Sequence, residues 1–182
     1  MPTDIVIRMV RPGDADAMAA IYAPSVLDSV TSFELDAPDG AEMRRRIAAT
    51  LPALPWIVAV DRAGELAGYA YAAPYRRRPA YRWSVEVSVY VAQPWMRRGV
   101  ARRLYGDLID RLARQGYRTI IAGITLPNPA SVAFHEALGF EAAGRICNVG
   151  WKMGAWHDVG FWQLRIAGDE PPIEPGPHPA IT

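Results

Sequence analysis

The sequence predicts an α/β fold with a central mixed sheet, part antiparallel and part parallel, flanked by helices. Two observations carry this. In the first half, strand-like segments follow one another across a short turn, as in hairpins. In the second half they alternate with amphipathic helices, as in crossover units. The expected order is β-α-α-β-β-β-α-β-α-β-β.

The elements follow in turn. "IVIRMV" (Ile5 to Val10) reads as a first strand. Asp14 is a plausible cap for a helix carrying Met18, Ile21 and Tyr22 at helical spacing, which Pro24 is expected to break or kink. "SVTSFELDAP" reads as a loop, and a helix over Ala41 to Leu51 follows, with Met43, Ile47 and Leu51 on one stripe. "WIVAV", the turn "DRAGE" and "LAGYAYAAPY" form a hairpin. "WSVEVSVYV" (Trp83 to Val91) is the most strand-like segment of the chain. Val100, Leu104, Leu108 and Leu112 mark a helix over Gly99 to Gln115, ended by Gly116. "RTIIAGI" is a buried strand. In "NPASVAFHEALGF", Asn128 caps a short helix with Pro129 at its first position. Two final strands are expected near Glu141 to Ile146 and Asp158 to Ile166.

The 182 residues fit one domain, 1–167, with enough chain to bury a core. The tail 168–182 holds five prolines in fifteen residues and is expected to be disordered or loosely draped. Twenty Lys and Arg against nineteen Asp and Glu give a net charge of +1, which argues against nucleic acid or an acidic membrane as partner. Lys152 is the one lysine among the basic residues. A lone cysteine, Cys147, excludes an intrachain disulfide and a cysteine-based zinc site, and its flanks suggest a structural thiol. There is no signal-peptide pattern and no apolar run of membrane-spanning length, so a cytoplasmic protein is expected.

Two segments suggest chemistry. Arg97, Arg98, Arg102 and Arg103 crowd the start of the Gly99 helix, where cations oppose the helix dipole. That arrangement makes sense if an anion rests on the backbone N–H groups there. It is neither a Walker motif nor a dinucleotide fingerprint. Glu86 is the second feature. Strand alternation places it with Ser84, Ser88 and Tyr90, opposite an apolar row of Trp83, Val85, Val87, Val89 and Val91. A partly desolvated carboxylate there would have a raised pKa and could take a proton from an ammonium, directly or through water.

"SVYVAQPWMRRGVARRLYGDLI" followed by "NPASVAFHEALGF" resembles the acetyl-CoA-dependent N-acetyltransferases of the GNAT superfamily. "AYRWSVEVSVYV", "LPNPASVAFHEALGF" and "GWKMGAWHDVGFWQ" resemble its phosphinothricin N-acetyltransferase branch, and the likeness spans about Ile5 to Ile166. The resemblance implies a GNAT-type fold, acetyl-CoA as cosubstrate, no metal, and a homodimer. It implies that the backbone of Val89, Tyr90 and Val91 pairs with the pantetheine arm. The pyrophosphate would lie on Arg97, Arg98, Gly99, Val100, Ala101 and Arg102, and Asn128 would reach the cosubstrate. Met96 departs from the Gln or Arg usual at its place, which weakens one side-chain contact and leaves the backbone part of the site.

Acetyl transfer to an amine needs an unprotonated nitrogen, a donor for the developing oxyanion, and a proton or charge partner for the departing thiolate. The resemblance gives Glu86 the base role. It sets His135 where many members carry a tyrosine that protonates the thiolate; a neutral imidazole could relay the proton and an imidazolium could donate it. The implied substrate is a small amino acid with a second acidic group, such as phosphinothricin or methionine sulfoximine. Arg76, Arg77 and Arg78 are candidates to clamp its anionic end. Phe33, Tyr81 and Trp83 could line its pocket, and Val87 and Ser88 could meet it through backbone. His157 and Asp158 face opposite ways on a strand and suggest a structural role. Other readings are acetylation of a protein N-terminus, an antibiotic amine or a polyamine, or a non-catalytic acyl-CoA sensor.

Overall fold

The computed structural model describes residues 5–51, 53–168 and 170–176. Among these residues, seven strands form one sheet in the order β1-β2-β3-β4-β5-β7-β6. They are β1 (Val6–Met9), β2 (Trp56–Val60), β3 (Leu66–Pro74), β4 (Ser84–Val91), β5 (Thr119–Leu126), β6 (Glu141–Lys152) and β7 (Ala155–Arg165). The helices are α1 (Ala15–Leu27), α2 (Gly40–Thr50), α3 (Val100–Gln115) and α4 (Pro129–Glu136). Among the described residues, only β4 and β5 run parallel; the remaining pairs are antiparallel. The mixed sheet and the element order expected from the sequence are both present.

Alternation along β2, β3 and β4 gives the sheet two apolar faces. Ile57, Ala59, Ala70, Ala72, Val85 and Val87 pack with Leu104, Leu108 and Leu112 of α3. Trp56, Val58 and Tyr69 pack with Met18, Tyr22 and Val26 of α1 and with Met43 and Ile47 of α2. Each fully buried Leu or Ile contributes about 1.5–3 kcal/mol. α2 is capped by Asp39, whose carboxylate accepts from Glu42 N at 2.8 Å. α3 ends at Gly116 with φ +94°, a left-handed stop that suits glycine.

Two local expectations change. Pro24 does not break α1, which runs on to Leu27. The flanking Tyr22 and Val26 are buried, and Asp28 N closes the last turn on Pro24 O at 3.0 Å. Those contacts offset the bond that proline cannot donate. β6 and β7 are far longer than expected and meet in a two-residue turn at Met153 and Gly154, with φ +50° and +75°. A methionine in the left-handed region is a weak turn signal in sequence. β6 is one edge of the sheet, and Cys147 is exposed on it.

Tail residues described between 168 and 176 lie against the start of β4 and the end of α3. Trp83 Nε1 donates to Ile173 O at 2.7 Å, Arg82 forks onto Glu174, and Gly176 N donates to Gln115 O at 2.7 Å. Residues 169 and 177–182 of that expectation lie outside the described residues. No helix among the described residues is long and apolar enough to cross a membrane.

Candidate active site

β4 and β5 are hydrogen-bonded neighbours for only three register pairs, Ser84 with Thr119, Val85 with Ile120 and Glu86 with Ile121. Beyond Glu86, β4 continues against β3 as far as Val91, and β5 continues against β7 as far as Leu126. The sheet therefore splits. Among the described residues, the β5-facing edge of β4 from Val87 onward has no strand partner, and buried backbone groups need one. A cavity of about 520 Å³ fills the gap.

Of the residues singled out in the sequence, the cavity collects Val87, Ser88, Val89, Tyr90, Val91, Asn128 and His135. Gln93 and Met96 form its mouth, just ahead of α3. Gly99, at φ +78°, turns the chain into that helix, and the first intrahelical bond runs from Arg103 N to Gly99 O at 3.1 Å. The N–H groups of Gly99, Val100, Ala101 and Arg102 thus precede the ladder and form an anion-binding end. A side chain at Gly99 would meet open space, so the backbone angle is what requires glycine there. Arg97 and Arg98 are exposed beside this end, Arg98 within 5.5 Å of the Trp95 ring. Arg102 reaches Ala137 O at 3.4 Å. Arg103 does not join the cluster; it turns away to donate to Ile5 O at 2.8 Å.

Glu86 sits where the strands part, on the face of Ser88 and Tyr90. It is half-buried and does not itself line the cavity. Its Oε1 lies beside Gly123 of β5, which does. Burial pushes the Glu86 carboxyl above the usual range, against the opposing pull of Arg76.

His135 is 5% exposed, enclosed by Tyr105, Phe134 and Phe140. Its Nδ1 lies 2.8 Å from Ser131 O, which makes that nitrogen the N–H donor. Nε2 is then free to accept from the Tyr105 hydroxyl at 3.3 Å. Burial lowers its pKa, only partly countered by the Ser131 bond. The neutral relay expected of His135 fits this setting; the cationic acid does not. Tyr105 is a cavity residue that the sequence did not reveal. It stands beside Leu104 on the buried stripe of α3, where an aromatic reads as core. Burial pushes its hydroxyl well above the usual tyrosine range.

The expected substrate residues are mostly elsewhere. Arg76, Arg77, Arg78 and Tyr81 are exposed beyond the cavity, in the connection before β4. Arg76 lies over the Tyr75 ring at 4.6 Å, and Tyr81 packs edge-on against Tyr75. Trp83 is held by the tail. Phe33 covers Gly150 of β6, where any side chain would collide with its ring. Its neighbour Thr31 reaches the cavity instead. His157 bonds Lys152 O at 3.0 Å, while Asp158 takes Arg145 and Asn148 N, so the two form no dyad. Asn128 Oδ1 accepts from Ser131 N at 3.1 Å and caps α4.

Opposite the split, the Tyr22 hydroxyl meets Ser32 at 2.6 Å and donates to Glu34 at 2.8 Å, and Arg46 forks onto Glu34. Lys152, also missed in the sequence, is buried and donates to Val26 O and Ser32 O, each at 2.6 Å. These bonds fix the loop that carries Thr31.

The split sheet, opening onto a helix N-terminus, matches the acyl-CoA transferase class to which the chain's motifs point. The chain belongs to the acetyltransferase (GNAT) domain family, whose model matches residues 7–160. It is 39% identical to a phosphinothricin N-acetyltransferase of Streptomyces viridochromogenes over 95% of this chain and 94% of that one. It is 34% identical to an L-methionine sulfoximine/L-methionine sulfone acetyltransferase of Pseudomonas paraeruginosa, over 88% of this chain and 94% of the relative. A crystal structure of a GNAT superfamily phosphinothricin acetyltransferase from Sinorhizobium meliloti in complex with AcCoA superimposes with a TM-score of 0.90. That protein is 35% identical, over 98% of this chain and 97% of its own. The chain is accordingly an N-acetyltransferase.

Proposed function

We propose that the protein acetylates the α-amino group of phosphinothricin or a close analogue, such as methionine sulfoximine or sulfone, using acetyl-CoA. The carrying observation is the parted β4 and β5 strands, with a half-buried carboxylate at the point where they separate. The substrate class rests on the relatives, which are similar along nearly their whole length.

The residues present suit acetyl-CoA. The unpaired edge of Val89, Tyr90 and Val91 offers backbone donors and acceptors to an amide-bearing arm. The N–H groups from Gly99 to Arg102, with Arg97 and Arg98 nearby, suit a pyrophosphate. When bound, this cosubstrate supplies an acetyl thioester. Glu86 takes the proton that the ammonium of the acceptor must lose before its nitrogen can form the new C–N bond. Because Glu86 lies behind the cavity wall, a water is the natural carrier. The Tyr105 hydroxyl faces the cavity with His135 Nε2 behind it, and the pair returns a proton to the sulfur when the C–S bond breaks. Arg76, whose charge acts on Glu86, and its neighbours Arg77 and Arg78 are the candidates for the acidic end of the acceptor.

We also propose a homodimer. β6 is a twelve-residue edge strand with Ile146, Val149 and Trp151 exposed, and Trp156 exposed beside it on β7. Long apolar edges of this kind invite pairing with a second copy.

The test is thiol release from acetyl-CoA with a panel of amines, compared by kcat/KM. Turnover of a peptide N-terminus or a polyamine, with none of phosphinothricin or its analogues, would sink the substrate assignment. Glu86→Gln should lose about 10²–10⁴-fold in kcat while acetyl-CoA binding by calorimetry is retained. An unchanged pH–rate profile in that variant would remove Glu86 as base.

A further inference from the structure

Gly123 stands between the cavity and the Glu86 carboxylate. It lies on β5, two residues beyond Ile121, the register partner of Glu86. It is exposed and lines the cavity, which Glu86 does not. A methyl on Gly123 would sit 3.3 Å from Glu86 Oε1, 3.7 Å from Phe161 Cε1 and 3.8 Å from Val159 Cγ1. It would therefore fill the space between the carboxylate and β7. Neither backbone strain nor crowding by the main chain explains the glycine. Gly123 is absent from the positive-φ residues, and the atoms nearest the added methyl all belong to side chains. What the missing side chain provides is an opening.

We propose that Gly123 is the port through which Glu86 reaches the acceptor amine, and that its lack of a side chain determines which amines can be deprotonated. The nitrogen, or the water that serves it, must pass over Gly123 to meet Oε1. The carbon bearing the amine would then lie against Phe161 and Val159, which makes this spot selective for the bulk next to the nitrogen. This rests on Glu86 being the base. Gly123 is a positioning residue, because it contributes no group of its own.

The test compares Gly123→Ala with the wild type. Alanine is at ease in a strand with ordinary backbone angles, so folding should be retained, as a melting curve would verify. The expected result is a loss of about tenfold or more in kcat/KM for the acceptor, with acetyl-CoA affinity within about twofold of wild type. A methyl against Oε1 also strips water from it, so the acid limb of the kcat/KM profile should move to higher pH. The groups coupled to this carboxyl are Arg76, which draws its pKa down, and Tyr71 and Tyr105, whose hydroxyls it pushes up. None of them is altered by the substitution. In a Glu86→Asp background the carboxylate is withdrawn by one methylene, so the cost of Gly123→Ala should shrink. A carbon-13 titration of the Glu86 carboxyl reads the same shift with no acceptor present. A carboxyl titration identical in wild type and Gly123→Ala would overturn the port, whatever the substrate proves to be. So would an undiminished Gly123→Ala loss in the Asp background. Failure of every amine in the panel would count against the proposed function alone.

Discussion

Replacing Lys152 by methionine tests how the wall opposite the split is held. Lys152 is 5% exposed, and its ammonium donates to two main-chain oxygens, Val26 O at the end of α1 and Ser32 O in the following loop. Methionine matches the shape of the stem but donates nothing. A hydrogen bond from a charged group is worth about 1.5–3 kcal/mol, and an orphaned buried acceptor costs about 1–3 kcal/mol. Relief from burying an ammonium offsets part of the loss. The net expectation is about 2–4 kcal/mol of destabilisation. For a chain of this length that lowers Tm by roughly 5–15 °C. Urea unfolding should show a lower midpoint with an unchanged slope, since the surface exposed on unfolding is the same. The loop also carries Thr31 into the cavity, so KM for the acceptor should rise more than KM for acetyl-CoA. Lys152→Arg should not rescue, because a planar fork does not fit a site built for a single point donor. A methionine variant within about 0.5 kcal/mol of wild type would refute the reasoning, because surface changes alone stay in that range.

Two further outcomes follow from the site. Glu86 has a folded pKa above its unfolded value, so the folded chain holds a proton that the unfolded chain has released in the window between the two. Stability therefore falls as pH rises through that window. Glu86→Gln should melt higher than wild type at neutral pH, and the difference should vanish below about pH 4; calorimetric melts at several pH values check it. Tyr105→Phe removes the donor to His135 Nε2 and should cost about 1–3 kcal/mol of stability and roughly tenfold or more in kcat, with acetyl-CoA affinity retained in calorimetry.

The parts of this site that could be read from the sequence are those set by local periodicity. The side-chain alternation that separates Glu86 from Val85 and Val87 is intrinsic to a strand, and it survives intact in the sheet. The glycine ahead of α3 and the Asn128 cap are likewise local backbone chemistry, as are the buried positions of Leu104, Leu108 and Leu112. What could not be read depends on contacts distant in sequence. Tyr105 looks like any aromatic on a buried stripe until α4 places His135 Nε2 against its hydroxyl, thirty residues on. Lys152 looks like an exposed turn lysine until the β6–β7 hairpin folds it under α1, more than a hundred residues back. Phe33 looks like a pocket aromatic until Gly150 gives it a place on β6.

Gly123 shows the same limit most sharply. In "IIAGITL" it weakens a strand for no local reason, and sequence offers it no partner. Its meaning comes from the register of β4 on β5, which aligns Glu86 with Ile121 and so brings the carboxylate to the next position on that face. Base and opening lie on strands thirty-seven residues apart, joined only by the last pairs before the sheet splits. A one-residue slip in that register would turn the carboxylate away from the gap. The short parallel ladder between β4 and β5 therefore does more than hold the sheet together. It sets which residue faces the base, and Gly123→Ala alters that one relation while leaving the ladder intact.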